Sequence, residues 1–262
     1  MEFEDYIGKI YITGDCHANF HKFNTDLFPE QKELTHDDFV IVCGDFGGIW
    51  YDDKEERYWL EWLNNKPFTT LFVDGNHENF VRLYTEFPAV DFYGGKAHQI
   101  RDNIYHLKRG CIFELCGKKI FAFGGASSHD IKDGILDRND FNNDNTFFDM
   151  CRRWRKSEKM FRIKSISWWE QEMPSDEEMG FGFETLKRNV FKVDYVITHC
   201  LPQSIAAAFS SELYMLDKLT MYFDKLMDNG LLFQDWYCGY YHKKINVMTK
   251  FHVLYDDMIR IV

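Results

Sequence analysis

The stretch TLFVDGNHE, residues 70–78, decides how this chain is read. A short apolar run, Thr70 to Val73, breaks off into Asp74-Gly75-Asn76-His77-Glu78. Short apolar runs closed by glycine are the mark of strands buried on both faces. The same grammar recurs along the chain. Ile7 to Ile12 runs into Thr13-Gly14-Asp15-Cys16-His17, and Phe39 to Cys43 into Gly44-Asp45-Phe46-Gly47-Gly48. Ile120 to Phe123 runs into Gly124-Gly125-Ala126, and Tyr195 to Ile197 into Thr198-His199. Leu231 to Phe233 reads as a last such strand, leading to Gly239-Tyr240-Tyr241-His242.

Helical patterns lie between the early runs. Lys54 to Leu63 puts Tyr58, Trp59 and Trp62 at helical spacing with charges elsewhere, and Asn79 to Phe87 is a second, shorter candidate. Alternation of strand and helix gives βαβ units and a mainly parallel sheet. Ser175 followed by Glu178 predicts a capping box that starts a helix running towards Phe191. Lys244 to Val262 fits a closing hairpin. Ser127 to Met173 differs: it is rich in Asn and Asp, carries a basic cluster and shows no clear strand. We read it as an insertion or cap, residues 127–173, within a single domain spanning 1–262.

At 262 residues the chain can bury a core that needs no staples. Its 45% apolar and 28% charged residues are those of a soluble globular protein. A formal net charge of −11 argues against general affinity for nucleic acid or an anionic membrane. Seven cysteines with no CxxC pair read as free thiols of a reducing compartment. The N-terminus is acidic and lacks an apolar leader, and no run is long enough to span a bilayer. The expectation is a cytoplasmic protein with no membrane partner.

In open α/β sheets, ligands bind beyond the carboxyl ends of the strands. The residues just past those ends are Asp15, His17, Asp45, Asn76, His77, His199 and His242. All are side chains that coordinate divalent cations. One Gly-Asp after a strand is an ordinary turn, and one histidine an ordinary core residue. Five strand ends carrying such residues together are not. Cys16, Cys43, Cys200 and Cys238 flank these positions and read as small apolar fillers.

Asp15-x-His17, Gly44-Asp45, Gly75-Asn76-His77-Glu78, Thr198-His199 and the late Gly-x-x-His resemble the calcineurin-like metallophosphoesterase superfamily, in kind and order over residues 14–242. The resemblance implies an α/β fold, a β-sandwich flanked by helices (αββα) with a metal site at the strand C-terminal ends. It implies two divalent ions, manganese first, with iron, zinc and nickel as alternatives. Asp15, His17 and His242 would hold the first ion, Asn76 and His199 the second, and Asp45 would bridge them. His77 would face the scissile phosphate and protonate the leaving alkoxide. The implied reaction is hydrolysis of a phosphate mono- or diester by in-line attack of a metal-bridged hydroxide. A phosphorylated small molecule or nucleotide-like compound would be the substrate.

The sequence departs from the family pattern in two places. The late motif is commonly Gly-His-x-His, and Tyr240 stands where the first histidine, a second-metal ligand, belongs. Coordination by a phenolate is costly, since its reference pKa is about 10. The preferred reading is that Tyr240 packs and the second ion binds more weakly. The bridge motif also lacks the downstream arginine of Ser/Thr protein phosphatases. The resemblance is therefore to a bacterial or phage-type branch. His129 and Asp130, past another strand end, are candidates for the substrate pocket. The basic run Cys151 to Lys164 interleaves Trp154 and Phe161; it reads first as a solvated helix face, second as a nucleic-acid surface. His21, His36, His98, His106 and His252 have no motif around them and read as structural. Two rivals to an active phosphoesterase follow: a weakened relative that binds metal or phosphate, and a nuclease using residues 151–164.

Overall fold

The computed structural model describes residues 8–209 and 216–262; Ile7, where the first strand run was expected to begin, lies outside them. The first half of the chain gives β1 (Ile10–Thr13), β2 (Phe39–Val42), α1 (Lys54–Asn64), β3 (Thr69–Phe72) and α2 (Phe80–Thr85). Two antiparallel groups follow: β4 (Ala89–Phe92), β5 (Gly95–Arg101) and β6 (Ile104–Leu107), then β7 (Cys111–Leu115) and β8 (Lys118–Phe123). Then come β9 (Gly134–Leu136), α3 (Asp144–Lys156), β10 (Phe161–Ile163), α4 (Asp176–Arg188), β11 (Tyr195–Thr198), α5 (Gln203–Phe209) and α6 (Lys218–Asp228). The chain closes with β12 (Asp235–Cys238), β13 (Ile245–Val247), β14 (Phe251–Val253) and β15 (Ile259–Arg260).

Two large sheets form, in the orders β15-β1-β2-β3-β6-β5-β4 and β13-β14-β12-β11-β8-β7, beside a two-stranded pair, β9 and β10. The central strands of each are parallel: β1, β2, β3 and β6 in the first, and β8, β11, β12 and β14 in the second. Strand alternation supplies the layers. Ile10, Ile12, Phe39 and Ile41 of the first sheet share a dry core with Ile120, Ala122, Tyr195 and Ile197 of the second. The opposite face of the first sheet (Val40, Val42, Phe72) packs on Phe20, Phe23 and the α1 leucines Leu60 and Leu63. The opposite face of the second (Phe121, Phe123, Val196, Trp236) packs on α4 and α6 through Leu186, Phe223 and Leu226. Two sheets flanked by helices result, with the parallel strands' carboxyl ends meeting at one rim.

Three details differ from the sequence reading. The strand before Gly239 is Asp235–Cys238; Leu231–Phe233 contributes only a single bridge at Leu232, which is exposed. The buried positions are Trp236 and Cys238 on one face and Tyr237 on the other, a pattern that the more apolar Leu-Leu-Phe run upstream masked. In α1 the buried side chains are Leu60 and Leu63, while Tyr58 points to solvent and Trp59 and Trp62 are half-buried. Residues 127–173 do contain strands: β9 and β10 pair in parallel, but at three residues each they carry no readable alternation. With α3 they enclose a small core of Leu136, Phe147, Cys151 and Ile163.

The predicted capping box at Ser175 and Glu178 is present, and it starts α4. The tail does make a hairpin, β13 with β14, and then crosses to pair β15 with β1, so it clips the two sheets together. No helix among the described residues is long and apolar enough to cross a membrane.

Candidate metal centre

Each candidate residue sits where a strand stops and the backbone bends sharply. His17, Asp45, Tyr240 and His242 all hold positive φ, between 47° and 67°. For non-glycine residues this costs about 1–3 kcal/mol each, and such strain gathers at functional sites. The loops after β1 and β2 are bolted together, since the amides of Cys16 and His17 both donate to the Asp45 carbonyl, at 3.0 and 2.7 Å. Close approach demands glycine at several of the strand ends, two of which touch candidate ligands directly. A Cβ on Gly44, whose φ is +95°, would overlap the His199 ring, and one on Gly239 would overlap the Asp15 carboxylate.

The structure brings Asp15, His17, Asp45 and His242 into one cluster whose donor atoms all lie within 4.8 Å of one another. Nε2 of His17 is 3.0 Å from Nε2 of His242, and 3.6 Å from both Asp15 Oδ2 and Asp45 Oδ2. Ligand atoms about 2.1 Å from a common ion are themselves roughly 3–4 Å apart, so the spacing suits one cation. Asp45 reaches a second group with its other oxygen. Oδ1 accepts from the His77 amide at 2.8 Å and lies 3.3 Å from Nε2 of His199. His199 donates Nδ1–H to the Cys43 carbonyl at 2.7 Å, so a cation that displaces its second proton would find Nε2 as the binding nitrogen.

The fit to metal can be judged from what stays unpaired. Asp15 Oδ2, Asn76 Oδ1 and His199 Nε2 are buried without an aligned hydrogen bond, although Asp15 Oδ2 is 3.0 Å from His242 and His199 Nε2 is 3.3 Å from Asp45. Orphaned buried polar atoms are rare and costly, and these three belong to Asp15, Asn76 and His199, residue types suited to holding cations. The charges agree. Burial alone would lower His199, but Asp45 and Asp15 outweigh it and push its pKa up to about 10. Two buried carboxylates thus demand positive charge, which bound ions would provide.

Neighbouring residues that the sequence did not single out hold this set in place. Asn76 donates Nδ2 to Ser128 Oγ at 3.4 Å, which turns Oδ1 the other way. Ser128 in turn donates its hydroxyl to Glu172 Oε2 at 2.6 Å and its amide to Oε1 at 2.9 Å. Glu78, the last residue of Gly-Asn-His-Glu, accepts from the amides of Phe46 and Gly47 and so fixes the bridge loop. Behind Asn76, the buried Asp74 carboxylate accepts from Arg109 Nε at 3.0 Å and from His106 Nε2 at 3.0 Å. Lys22 gathers the carbonyls of Asp15 and Tyr255, at 2.7 and 2.6 Å. Asp74 and Glu78 stood in the stretch 70–78 without a visible task, and Ser128, Glu172, Arg109 and Lys22 had no signal beyond residue type, because most of these contacts join residues distant in the chain.

Arg162 is the largest addition. It belongs to the basic run, yet it is 5% exposed and points inward from β10. Its Nη2 donates to His77 Nε2 at 2.7 Å, Nη1 donates to the Asn76 carbonyl at 3.2 Å, and Nε lies 2.7 Å from Asp130. Burial pushes the His77 pKa down to about 4; Asp45 opposes this, and Arg162 and His17 add to it. The other six basic residues of the run are exposed or nearly so, as the solvated-face reading expects. Asp130 therefore pairs with Arg162, and exposed His129 meets the Tyr240 ring edge-on at 5.9 Å.

Tyr240 donates its hydroxyl to the Ser127 carbonyl at 2.8 Å and its amide to Asp15 Oδ1 at 2.9 Å, and its ring meets His199 edge-on at 5.4 Å. The seven cysteines are free, and Cys16, Cys43, Cys200 and Cys238 are buried. Burial pushes the Cys16 thiol up to about 12 and the other three well above their usual range.

Comparison with known proteins gives three findings. A family model described as calcineurin-like phosphoesterase matches residues 8–225. Lariat debranching enzyme A of Xenopus laevis is 28% identical over 154 residues, which is 52% of this chain but only 27% of that protein. The chain thus spans about a quarter of that relative's length. A solved structure, phosphopantetheinyl hydrolase from Mycobacterium tuberculosis, aligns over 95% of this chain and 90% of that one, at 13% identity and a TM-score of 0.36.

Proposed function

We propose, from the premise that this chain belongs to the calcineurin-like phosphoesterase family, a two-ion centre that hydrolyses a phosphate mono- or diester. Membership makes it a metal-dependent hydrolase of phosphoric esters; the ion number and the residue roles are our reading. Asp15, His17 and His242 would hold one ion, Asn76 and His199 the other, and Asp45 would serve both. The observation that carries this is the Asp45 carboxylate, which turns one oxygen towards His17 and the other towards His199. When bound, the ions would lower the pKa of water to supply the nucleophile and would offset charge on the phosphoryl group. Manganese is the ion we expect first, with iron, zinc and nickel as alternatives, since three side-chain oxygens and three imidazoles do not select one of them. Tyr240 stays with Ser127 and leaves the second ion one protein ligand short, hence weaker.

His77 is our candidate for protonating the leaving oxygen. Its Nε2 accepts from Arg162, so His77 can act as an acid only once the guanidinium turns away and that nitrogen takes up a proton from solvent. An incoming phosphate is the partner able to draw Arg162 off, since arginine binds phosphate in a bidentate fork. We place the substrate among phosphorylated small molecules or nucleotide-like compounds, since the net charge of −11 opposes an extended nucleic acid. Residues 127–173 belong to the same domain as an insertion that delivers Arg162 and Glu172 to the site. Seven free thiols support a cytoplasmic setting.

The test is hydrolysis of aryl phosphate mono- and diesters with added Mn²⁺, comparing the native chain with Asp45→Asn and His77→Gln. Both variants should lose at least about a hundredfold in rate. Full activity in Asp45→Asn would end the two-ion reading, and metal binding without turnover by the native chain would favour the weakened relative.

A further inference from the structure

A groove of about 430 Å³ opens directly off the metal centre, with His17 and His77 at its inner end. Its walls are aromatic: Trp50, Tyr51 and Trp59. Its rim is acidic: Asp53, Glu55 and Glu56. None of its lining residues, among those described, is lysine or arginine. We propose that this groove binds a positively charged ammonium group carried on the alcohol part of the phosphoester, so that the substrate is a compact zwitterionic ester of the aminoalkyl or choline type. The inference rests on the proposed reaction for placing the phosphate at His17 and His77.

Two features converge on a cation. Faces of tryptophan and tyrosine attract ammonium groups through the ring quadrupole, the more strongly the more water is excluded. The carboxylates add charge complementarity that a neutral or anionic ligand would waste. Glu56 is already committed: its Oε2 accepts from the amides of Trp50, Tyr51 and Asp52 at 2.6–3.0 Å, and its Oε1 lies 2.7 Å from Arg82. Asp53 caps α1 through the Glu56 amide. Glu55, exposed on the first turn, has no counter-ion among the described residues. The loop that carries the aromatic wall is thus fixed before a ligand arrives. The Trp50 carbonyl also accepts from Asn79, and the Trp50 ring meets Trp169 of the insertion edge-on at 5.3 Å. Preorganised aromatic walls lower the ordering cost of binding. The same acidic rim repels a polyphosphate or a nucleic-acid strand.

The experiment compares phosphocholine with 3,3-dimethylbutyl phosphate, its uncharged carbon isostere, each as the monoester and as the p-nitrophenyl diester. The metal-loaded native chain should favour the charged compound by about tenfold in kcat/KM, the size that one cation–π contact gives. Glu55→Gln and Tyr51→Leu, both at exposed positions, should bring the ratio towards one. Tetramethylammonium titrated calorimetrically into the same protein should bind saturably, and Tyr51→Leu should weaken that binding. Equal rates for charged and uncharged esters, or no saturable tetramethylammonium binding, would overturn the proposal. So would a preference for nucleoside monophosphates, which would assign the aromatic walls to a base. If no ester is hydrolysed while tetramethylammonium still binds, the proposed reaction fails and the groove assignment stands.

Discussion

Replacing Ser128 by alanine should separate the positioning of Asn76 from mere stability. The Ser128 hydroxyl does two things: it accepts from Asn76 Nδ2 at 3.4 Å and donates to Glu172 Oε2 at 2.6 Å. The second bond reaches a carboxylate that is 2% exposed, and a hydrogen bond to a buried charged group contributes about 1.5–3 kcal/mol. Losing it should cost about 2 kcal/mol of stability, or roughly 6 °C in Tm for a chain of this size. The first bond is long and adds little energy, but it is the contact that sets which end of the Asn76 amide faces the centre. Without it the amide can present Nδ2, which no cation accepts. Loss of a group that orients a ligand typically costs 10–100-fold in metal affinity, about 1.4–2.7 kcal/mol. Mn²⁺ titration by calorimetry should therefore show the weaker of two sites fall by that factor while the tighter one holds. Scanning calorimetry of the metal-free protein reads the stability term separately. A drop in Tm with both affinities intact would refute the reasoning, leaving Ser128 and Glu172 as packing alone.

Other perturbations follow from the same geometry. Arg109→Met strands the buried Asp74 carboxylate, which should cost about 3–5 kcal/mol and lower Tm by roughly 10 °C in thermal unfolding; a change under 2 °C would show that His106 alone satisfies Asp74. Gly239→Ala drives a Cβ into the Asp15 carboxylate, so the tighter Mn²⁺ site should weaken, whereas Gly117→Ala, with open space around it, should leave metal binding alone. Burial, helped by His106 and Lys108, holds the His98 pKa down at about 3, below its unfolded value near 6.5. The unfolded chain therefore binds more protons between those values, and stability must fall as pH drops from about 6.5 towards 3. His98→Gln should flatten that part of the urea-unfolding profile, and an unchanged slope would place the titration elsewhere.

Most of the fold and the expected ligands were legible because they are local. A strand buried on both faces must be apolar, and the residue that follows it must turn, so Val73-Asp74-Gly75-Asn76 announces itself. The capping box at Ser175 is equally local. Leu231–Phe233 misled because apolarity is not burial: Leu232 is exposed, while the strand carries polar-tipped Trp236 and Tyr237. Arg162, Ser128 and Glu172 were hidden for a different reason. Arg162 is one of seven basic residues within fourteen, and only β10 decides which of them turns inward. Ser128 and Glu172 meet across 44 positions, a contact that no periodicity encodes. Glu78 stood in the motif, but its task of fixing the Asp45 loop becomes visible only when the amides of Phe46 and Gly47 are seen to reach it.

The number of ions that the chain binds tests the account most directly. Equilibrium dialysis against Mn²⁺ followed by elemental analysis should give two ions per native chain, the second released at lower chelator concentration. Asn76→Ala should bind one, and Asp45→Asn should weaken both. A native chain that saturates at one ion, with Asn76→Ala indistinguishable from it, would contradict the two-ion centre.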